Sequence, residues 1–246
     1  MRPEILFPLF APLRSLPGVG PRLESLLGKL VGDKVVDLCW HLPTGLVDRR
    51  KRPKIADIRD GEVVTIEIQV GLHVVPRQKR LPYRVHVHDE TGEMQIVFFN
   101  PHGDWLARTL PEGATRIVSG KVEFYQGSPQ MTHPDHIIAP ENLDSLPLLE
   151  SIYPLTAGVT LKPLQKTIRG AVDCAMELPE WQDPAWLKVQ GWSGWLEALE
   201  AAHHPQNQSE LEPSAPARAR LAFDELLANQ LALGLVRLRM RRLPGR

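Results

Sequence analysis

Two adjacent phenylalanines, Phe98 and Phe99, close an alternating apolar stretch over residues 92–100, and Asn100-Pro101 stops it. Aromatic rings can do one kind of chemistry without a catalytic partner. They stack on flat π systems such as nucleobases, at roughly 1–3 kcal/mol per base and with little regard to sequence. Neighbouring residues on a strand point to opposite faces, so one ring enters a core while the other is presented outward. Cations suited to phosphate stand nearby in the chain. Arg77, Lys79, Arg80 and Arg84 precede the pair, and Arg49-Arg50-Lys51-Arg52-Pro53-Lys54 is a denser run upstream. A third group, Arg237, Arg239, Arg241 and Arg242, lies close to the last residue. The formal net charge is +0, but acids concentrate between Glu141 and Glu212. Local patches, not that total, set the potential a polyanion meets. For residues 49–54 two readings stand: phosphate contact, or a solvated linker that happens to be basic.

Residue types that carry reactions do not assemble in a recognisable order. Neither a Gly-x-x-x-x-Gly-Lys-Ser/Thr loop nor Gly-x-Gly-x-x-Gly nor Gly-x-Ser-x-Gly occurs. His133-Pro134-Asp135-His136 and His203-His204 hint at metal ligation, but neither has a third ligand at suitable spacing. Cys39 and Cys174 stand alone, outside any Cys-x-x-Cys, which fits a reducing cytoplasm better than a disulfide framework or zinc site. No apolar run approaches the ~20 residues of a membrane span. The apolar start at residues 5–10 is cut by Pro8 and lacks a signal-peptide cleavage pattern. The residues read as a cytoplasmic, monomeric binding module without cofactor or metal.

The elements that must position these groups follow from periodicity. With 43% hydrophobic and 24% charged residues, 246 residues suffice for one to three domains with real cores. Residues 1–54 read as a helical N-terminal segment, with Leu23, Leu26, Leu27 and Leu30 at helical spacing behind Pro17-Gly18-Val19-Gly20-Pro21. That turn resembles a helix-hairpin-helix element, in which Gly18 and Gly20 let backbone amides meet a phosphate. It can equally be a helix connection that only packs. Residues 55–140 alternate with period 2 around residues 63–75, 84–89 and 94–99, continue through one short helix at 102–110, and resume in strands at 114–125 and 129–138. The order β-β-β-α-β-β is that of an OB-fold, a five-stranded Greek-key barrel, with Gly71 and Gly120 where strands must bend. Such barrels bind nucleic-acid strands across strands two and three and the loops beside them, and the loop near Tyr125 adds an aromatic there. Residues 141–205 form a helical, acidic segment, and Trp181, Trp186, Trp192 and Trp195 in it read as packing anchors. Residues 206–216 are a polar linker, and residues 217–246 one long amphipathic helix with Leu221, Phe223, Leu226, Leu227, Leu231 and Leu235 on its apolar side. The fold class is thus α+β and multi-domain, a barrel flanked by helical segments.

An ordered set of short motifs carries a resemblance over essentially the whole chain: Leu16-Pro17-Gly18-Val19-Gly20-Pro21, His41-Leu42-Pro43, Phe98-Phe99-Asn100, Gln130-Met131-Thr132-His133-Pro134, Ile152-Tyr153-Pro154 and Arg220-Leu221-Ala222-Phe223-Asp224-Glu225. The chain resembles the N-terminal, wedge-domain region of the RecG family of bacterial DNA helicases. The resemblance implies a part in branch migration and fork regression during DNA repair and recombination, with branched DNA (replication forks and Holliday junctions) as the ligand. It places the family's stacking aromatic at Phe99. The offset of a second stacking aromatic lands on Gly103, with Trp105 the nearest ring. ATP and magnesium belong, on this resemblance, to motor domains outside these residues, so the chain by itself is expected to be non-catalytic and part of a longer helicase. The competing class is a protein-interaction OB-fold that takes an acidic peptide, such as the tail of a single-strand-binding protein.

Overall fold

The computed structural model describes residues 3–78, 81–99 and 105–241. In chain order it contains α1 (Pro21–Leu30), α2 (Val35–Cys39), β1 (Gly45–Asp48), β2 (Val63–Val74), β3 (Tyr83–His88), β4 (Glu93–Phe98) and α3 (Trp105–Thr109). There follow β5 (Thr115–Tyr125), β6 (Ser128–Thr132), β7 (His136–Ile138) and β8 (Leu149–Ile152). The chain ends in helices α4 (Leu161–Val172), α5 (Pro184–Gln190), α6 (Trp195–His203) and α7 (Pro216–Arg241). Two units result. One combines the residues up to Leu46 with those from Ser151 onward, and the other is Val47–Glu150.

The second unit is the barrel. β2, β3 and β4 pair antiparallel in sequence order, β4 pairs β6 in parallel, β6 pairs β5, and β5 returns to β2 along Val63↔Lys121 to Gln69↔Thr115. This closed circuit is the OB order. Alternation determines what enters the core: Val64, Ile66, Ile68 and Val70 from β2, Val85 and Val87 from β3, and Met94, Ile96 and Phe98 from β4. Leu106 on α3, and Leu110 just beyond it, add to the same core. Two glycines serve close approach. A Cβ on Gly71, at the bulge where β2 register shifts, would lie 3.0 Å from the His86 carbonyl oxygen. One on Gly120 would meet Met131 Sδ at 3.0 Å and Pro134 Cα at 3.3 Å.

The expected last strand over residues 129–138 is two strands. His133 adopts φ 48°, in the left-handed region, and Pro134 follows, so β6 stops and β7 resumes beside β5 at Ile117↔Ile138. The barrel unit also runs wider than residues 55–140. Arg49 is fully buried in it, its guanidinium donating to Ser119 Oγ (3.0 Å), Asp135 Oδ2 (3.0 Å) and Glu150 Oε2 (2.7 Å). That arginine fixes the segments flanking the barrel to it.

The helical unit draws its core from both ends of the sequence: Leu13, Leu27, Val35 and Leu38 join Leu164, Ile168, Leu199 and Leu221. The segments 1–54 and 141–205, separate on sequence patterning, therefore share one core up to Leu46 and from Ser151. Residues 206–216 are not an unstructured linker. Asn207 Oδ1 caps a 3-10 turn at Gln208–Leu211, and Ala215 is buried. Helix α7 forms as expected, but it is not one-sided. Only Arg220, Leu221 and Asp224 are buried, while Leu226, Leu231, Leu233, Leu235 and Val236 are exposed and fall on several sides of the helix.

Candidate nucleic-acid interface

At the end of β4 the two rings part as alternation requires. Phe98 is 4% exposed and belongs to the barrel core, whereas Phe99 is 51% exposed. Phe99 follows the last ladder residue of β4, and its N–H donates to His133 Nε2 at 3.0 Å. That nitrogen must then hold the lone pair, with the ring proton on Nδ1. The His133 ring also lies tilted against Phe99, centroids 5.9 Å apart at 32°, and edge-to-face with Phe98 at 5.7 Å. Trp105, first residue of α3, stands edge-on to Phe98 at 6.0 Å and is half exposed. Its ring thus braces the core partner of the pair and shows solvent a remaining part. Gly103, the position of the second family aromatic, lies outside the described residues.

Register brings part of the predicted basic loop to the same end. Tyr83 pairs Phe98 and Arg84 pairs Val97 across β3 and β4, so the hairpin between β2 and β3 opens beside Phe99. Arg77 and Arg84 are exposed there, together with apolar Leu72, Val75 and Leu81. Lys79 and Arg80 lie outside the described residues, as does Arg242. The root of the hairpin is locked: Tyr83 Oη donates to His73 Nδ1 at 2.9 Å, and His73 Nε2–H donates to the Leu110 carbonyl at 2.8 Å. Burial, and secondarily Glu112, push the Tyr83 phenol up and keep it a donor.

In the run at 49–54 the burial of Arg49 removes that residue from the cations a phosphate can meet, while Arg50, Lys51 and Lys54 stand in exposed ion pairs. Arg49 faces inward, as above. Arg50 Nε donates to Asp48 at 2.9 Å, and that hydrogen bond holds the Asp48 carboxyl below its usual range. Lys51 pairs Glu62 at 2.7 Å and Lys54 pairs Glu90 at 2.6 Å. Arg52 remains exposed and lines a cleft of about 180 Å³ with Thr65, Glu67 and Ile117. The acids that meet Lys51 and Lys54 come from the residue before β2 and from the β3–β4 turn, placements that the sequence does not show.

The glycine turn lies in the helical unit. Gly18 has φ +84° and Gly20 precedes Pro21, the first residue of α1. Among the described residues only 3-10 turns, Glu4–Leu6 and Leu13–Ser15, come before it, so no α-helix precedes the turn there as a helix-hairpin-helix would need. A Cβ on Gly18 would lie 3.9 Å from Lys166 Nζ, a cation from α4 that the motif alone does not reveal.

Sequence reasoning also missed two features of the barrel. His133 drew notice only as a metal-ligand type and a motif member; its placement next to Phe99 depends on the parallel β4–β6 pairing. Among the described residues, no group of three His, Cys, Asp or Glu is placed to hold a metal. Phe124 (43% exposed) sits beside Tyr125 (56% exposed) at the β5–β6 hairpin, whose turn residues Gln126 and Gly127 are both left-handed. β6 runs parallel to β4 from Gln95↔Gln130, so this hairpin marks the Glu93 end, opposite Phe99. Exposed Arg84, His86 and His88 alternate along β3 between the two ends. The signal was available: β5 alternation places Val122 inside, and the apolar residues after it outrun the barrel.

Comparison with known proteins adds four findings. Residues 12–175 match the family described as the RecG wedge domain. The ATP-dependent DNA helicase RecG of Haemophilus influenzae is 30% identical over 239 residues, covering 92% of this chain and 34% of that protein. RecG of Escherichia coli K12 is 30% identical over 235 residues, covering 90% and 33%. A solved structure of RecG bound to a three-way DNA junction superposes with a TM-score of 0.72 at 26% identity, over 94% of this chain and 32% of that one. The chain therefore spans about a third of the length of the curated relatives it matches.

Proposed function

The chain belongs to the RecG wedge-domain family, and from that premise we propose that its barrel is the strand-separating wedge of a RecG-like helicase acting on branched DNA. The observation that carries this reading is Phe99: a half-exposed ring at a strand end, backed by its buried neighbour Phe98. Phe99 caps the last base pair of a splayed duplex, and Arg77, Lys79, Arg80 and Arg84 hold the phosphates of the parting strands. Stacking on a base contributes about 1–3 kcal/mol whatever the base, which suits a protein that must act at any sequence. Phosphate contacts add a charge term that falls steeply with salt. Strand separation then follows from geometry. A motor burning ATP with magnesium, in the part of the relatives beyond this match, draws duplex past a fixed ring, and the strands divide around it. On forks and Holliday junctions that movement is branch migration and fork regression.

Binding of this chain to forked, four-way and linear DNA at two salt concentrations tests the proposal. Forked and four-way DNA are expected to bind more tightly than linear duplex, with a steep loss of affinity as salt rises. Equal affinity for linear duplex would overturn the wedge, and a flat salt response would overturn the phosphate contacts.

A second reading has its own support. Exposed Leu72, Val75 and Leu81 beside Arg77 would suit an acidic peptide carrying apolar residues, such as the tail of a single-strand-binding protein. Displacement of branched DNA by such a peptide would show that the two share the barrel.

A further inference from the structure

We propose that His133 is a positioning residue for the stacking aromatic: it holds Phe99 in the orientation from which the ring meets a base. The inference rests on the reading of Phe99 as the stacking residue and goes beyond it to the device that orders the ring. Phe99 lies just past the end of β4, where its amide has left the ladder. A ring on a short free segment would sample several rotamers and would have to be ordered anew each time DNA bound. His133 removes both freedoms. Its Nε2 accepts the Phe99 N–H at 3.0 Å, which fixes the backbone. Its ring lies 5.9 Å from the Phe99 ring at 32°, which supports one face and leaves Phe99 51% exposed.

His133 is itself pinned. Its N–H donates to the Val97 carbonyl at 2.9 Å, and its ring meets the edge of buried Phe98 at 5.7 Å. The residue holds φ 48°, a conformation that disfavours a side chain bearing a Cβ. Glycine or asparagine would adopt it with less strain, yet an imidazole stands there. Such an outlier is a reason to look for a role at the same place. The role suggested by the contacts is the support of Phe99, since both the acceptor nitrogen and the ring face are directed to it.

A double-mutant cycle tests the proposal, using forked and linear DNA with the whole chain. The variants are Phe99→Ala, His133→Asn, His133→Gly and each histidine variant combined with Phe99→Ala. Asparagine and glycine both tolerate the left-handed backbone, so thermal melting of the barrel is expected to stay close to that of the parent chain. His133→Asn and His133→Gly are expected to weaken fork binding by about 2- to 10-fold, the scale of one lost hydrogen bond and one reordered side chain. Linear-duplex binding is expected to be unchanged. In the Phe99→Ala background the same substitutions are expected to cost nothing further. Equal losses with and without Phe99 would overturn the positioning role and make His133 a DNA contact or a prop of the barrel. Unchanged fork binding in both histidine variants, alongside a loss in Phe99→Ala, would also overturn it. If Phe99→Ala itself leaves fork binding intact, the stacking reading falls, and the positioning role with it.

Discussion

In the helical unit, rings and charges are spent on one another. Trp192 and Phe223 pack with centroids 5.3 Å apart, Trp181 lies 6.4 Å from Trp195, and the Arg220 guanidinium stacks 5.3 Å from the Trp181 ring. Arg220 is fully buried, and its hydrogen bonds to Glu180 (2.9 Å) and Asp224 (2.8 Å) more than reverse the lowering that burial alone would bring, so it stays charged. His203 bridges the Cys39 carbonyl and the Tyr153 hydroxyl in the same interior. In the barrel unit, Arg49 plays a comparable internal part, but Phe99, Phe124 and Tyr125 stand at strand ends with much of their surface in solvent. The contrast separates two uses of similar side chains. Where each ring has a ring or a cation for a partner, the partner explains it. Where rings stay exposed near exposed arginines, as Phe99 does near Arg77 and Arg84, contacts among the described residues leave surface over, and the proposed function assigns it to DNA.

That contrast can be sharpened or broken. The largest effect is expected from Arg220→Ala, which strands the buried Asp224 carboxylate and leaves the more exposed Glu180 without its cation. Removing one member of such a buried network costs about 3–5 kcal/mol. All tryptophans except Trp105 lie in the helical unit, so urea unfolding followed by tryptophan fluorescence reads that loss. A cost below about 1 kcal/mol, the range of an exposed pair, would mean the network is ornamental.

Acid should act on the same interior. Burial lowers His203 to about 4, with only partial compensation from the Cys39 carbonyl bond. The unfolded chain binds that proton near its ordinary value of about 6.5, so the unfolded state takes up protons first as pH falls. The stability contribution is therefore complete above about pH 6.5 and is lost between there and about pH 4, by roughly 3 kcal/mol. Stability measured across that window should fall for the parent chain, and the part due to this residue should vanish in His203→Gln. An unaltered slope in the variant would remove His203 from the account.

Smaller effects distinguish free from paired cations in the barrel. Arg77→Ala and Arg84→Ala are each expected to reduce the salt slope of DNA binding by about 1. Lys51→Ala and Lys54→Ala, whose partners are Glu62 and Glu90, are expected to change it less and to shift stability by no more than about 1 kcal/mol. Equal effects from all four would erase the distinction drawn between the basic loop and the basic run.

Much of the barrel was legible in the sequence because its signals are local. Period-2 alternation in β2, β3 and β4 places Val64 and Ile66 inside and requires that one of Phe98 and Phe99 face out, while the family resemblance pointed to Phe99 as that ring. What stayed hidden depends on distant partners. Arg49 reads as one more cation until Asp135 and Glu150 are brought to it, and Lys51 and Lys54 read as free until the fold brings Glu62 and Glu90 to them. His133 needed the parallel β4–β6 register to become the neighbour of Phe99. The helical unit was harder still, because its core joins residues before Leu46 to residues after Ser151 and no local pattern announces that. Helix α7 shows the converse. Its leucines were placed on one apolar side by the helical pattern, but they are spread around the helix, and Leu226, Leu231, Leu233 and Leu235 are exposed.

The fork-to-duplex affinity ratio of Phe99→Ala tests the central claim most directly. If the exposed ring caps a splayed duplex end, the substitution removes a stacked base pair's worth of binding, about 1–3 kcal/mol or roughly 5- to 150-fold, from forked DNA and leaves linear duplex almost untouched. Equal losses on the two substrates, or none on the fork, would contradict the claim that this ring meets the branch point.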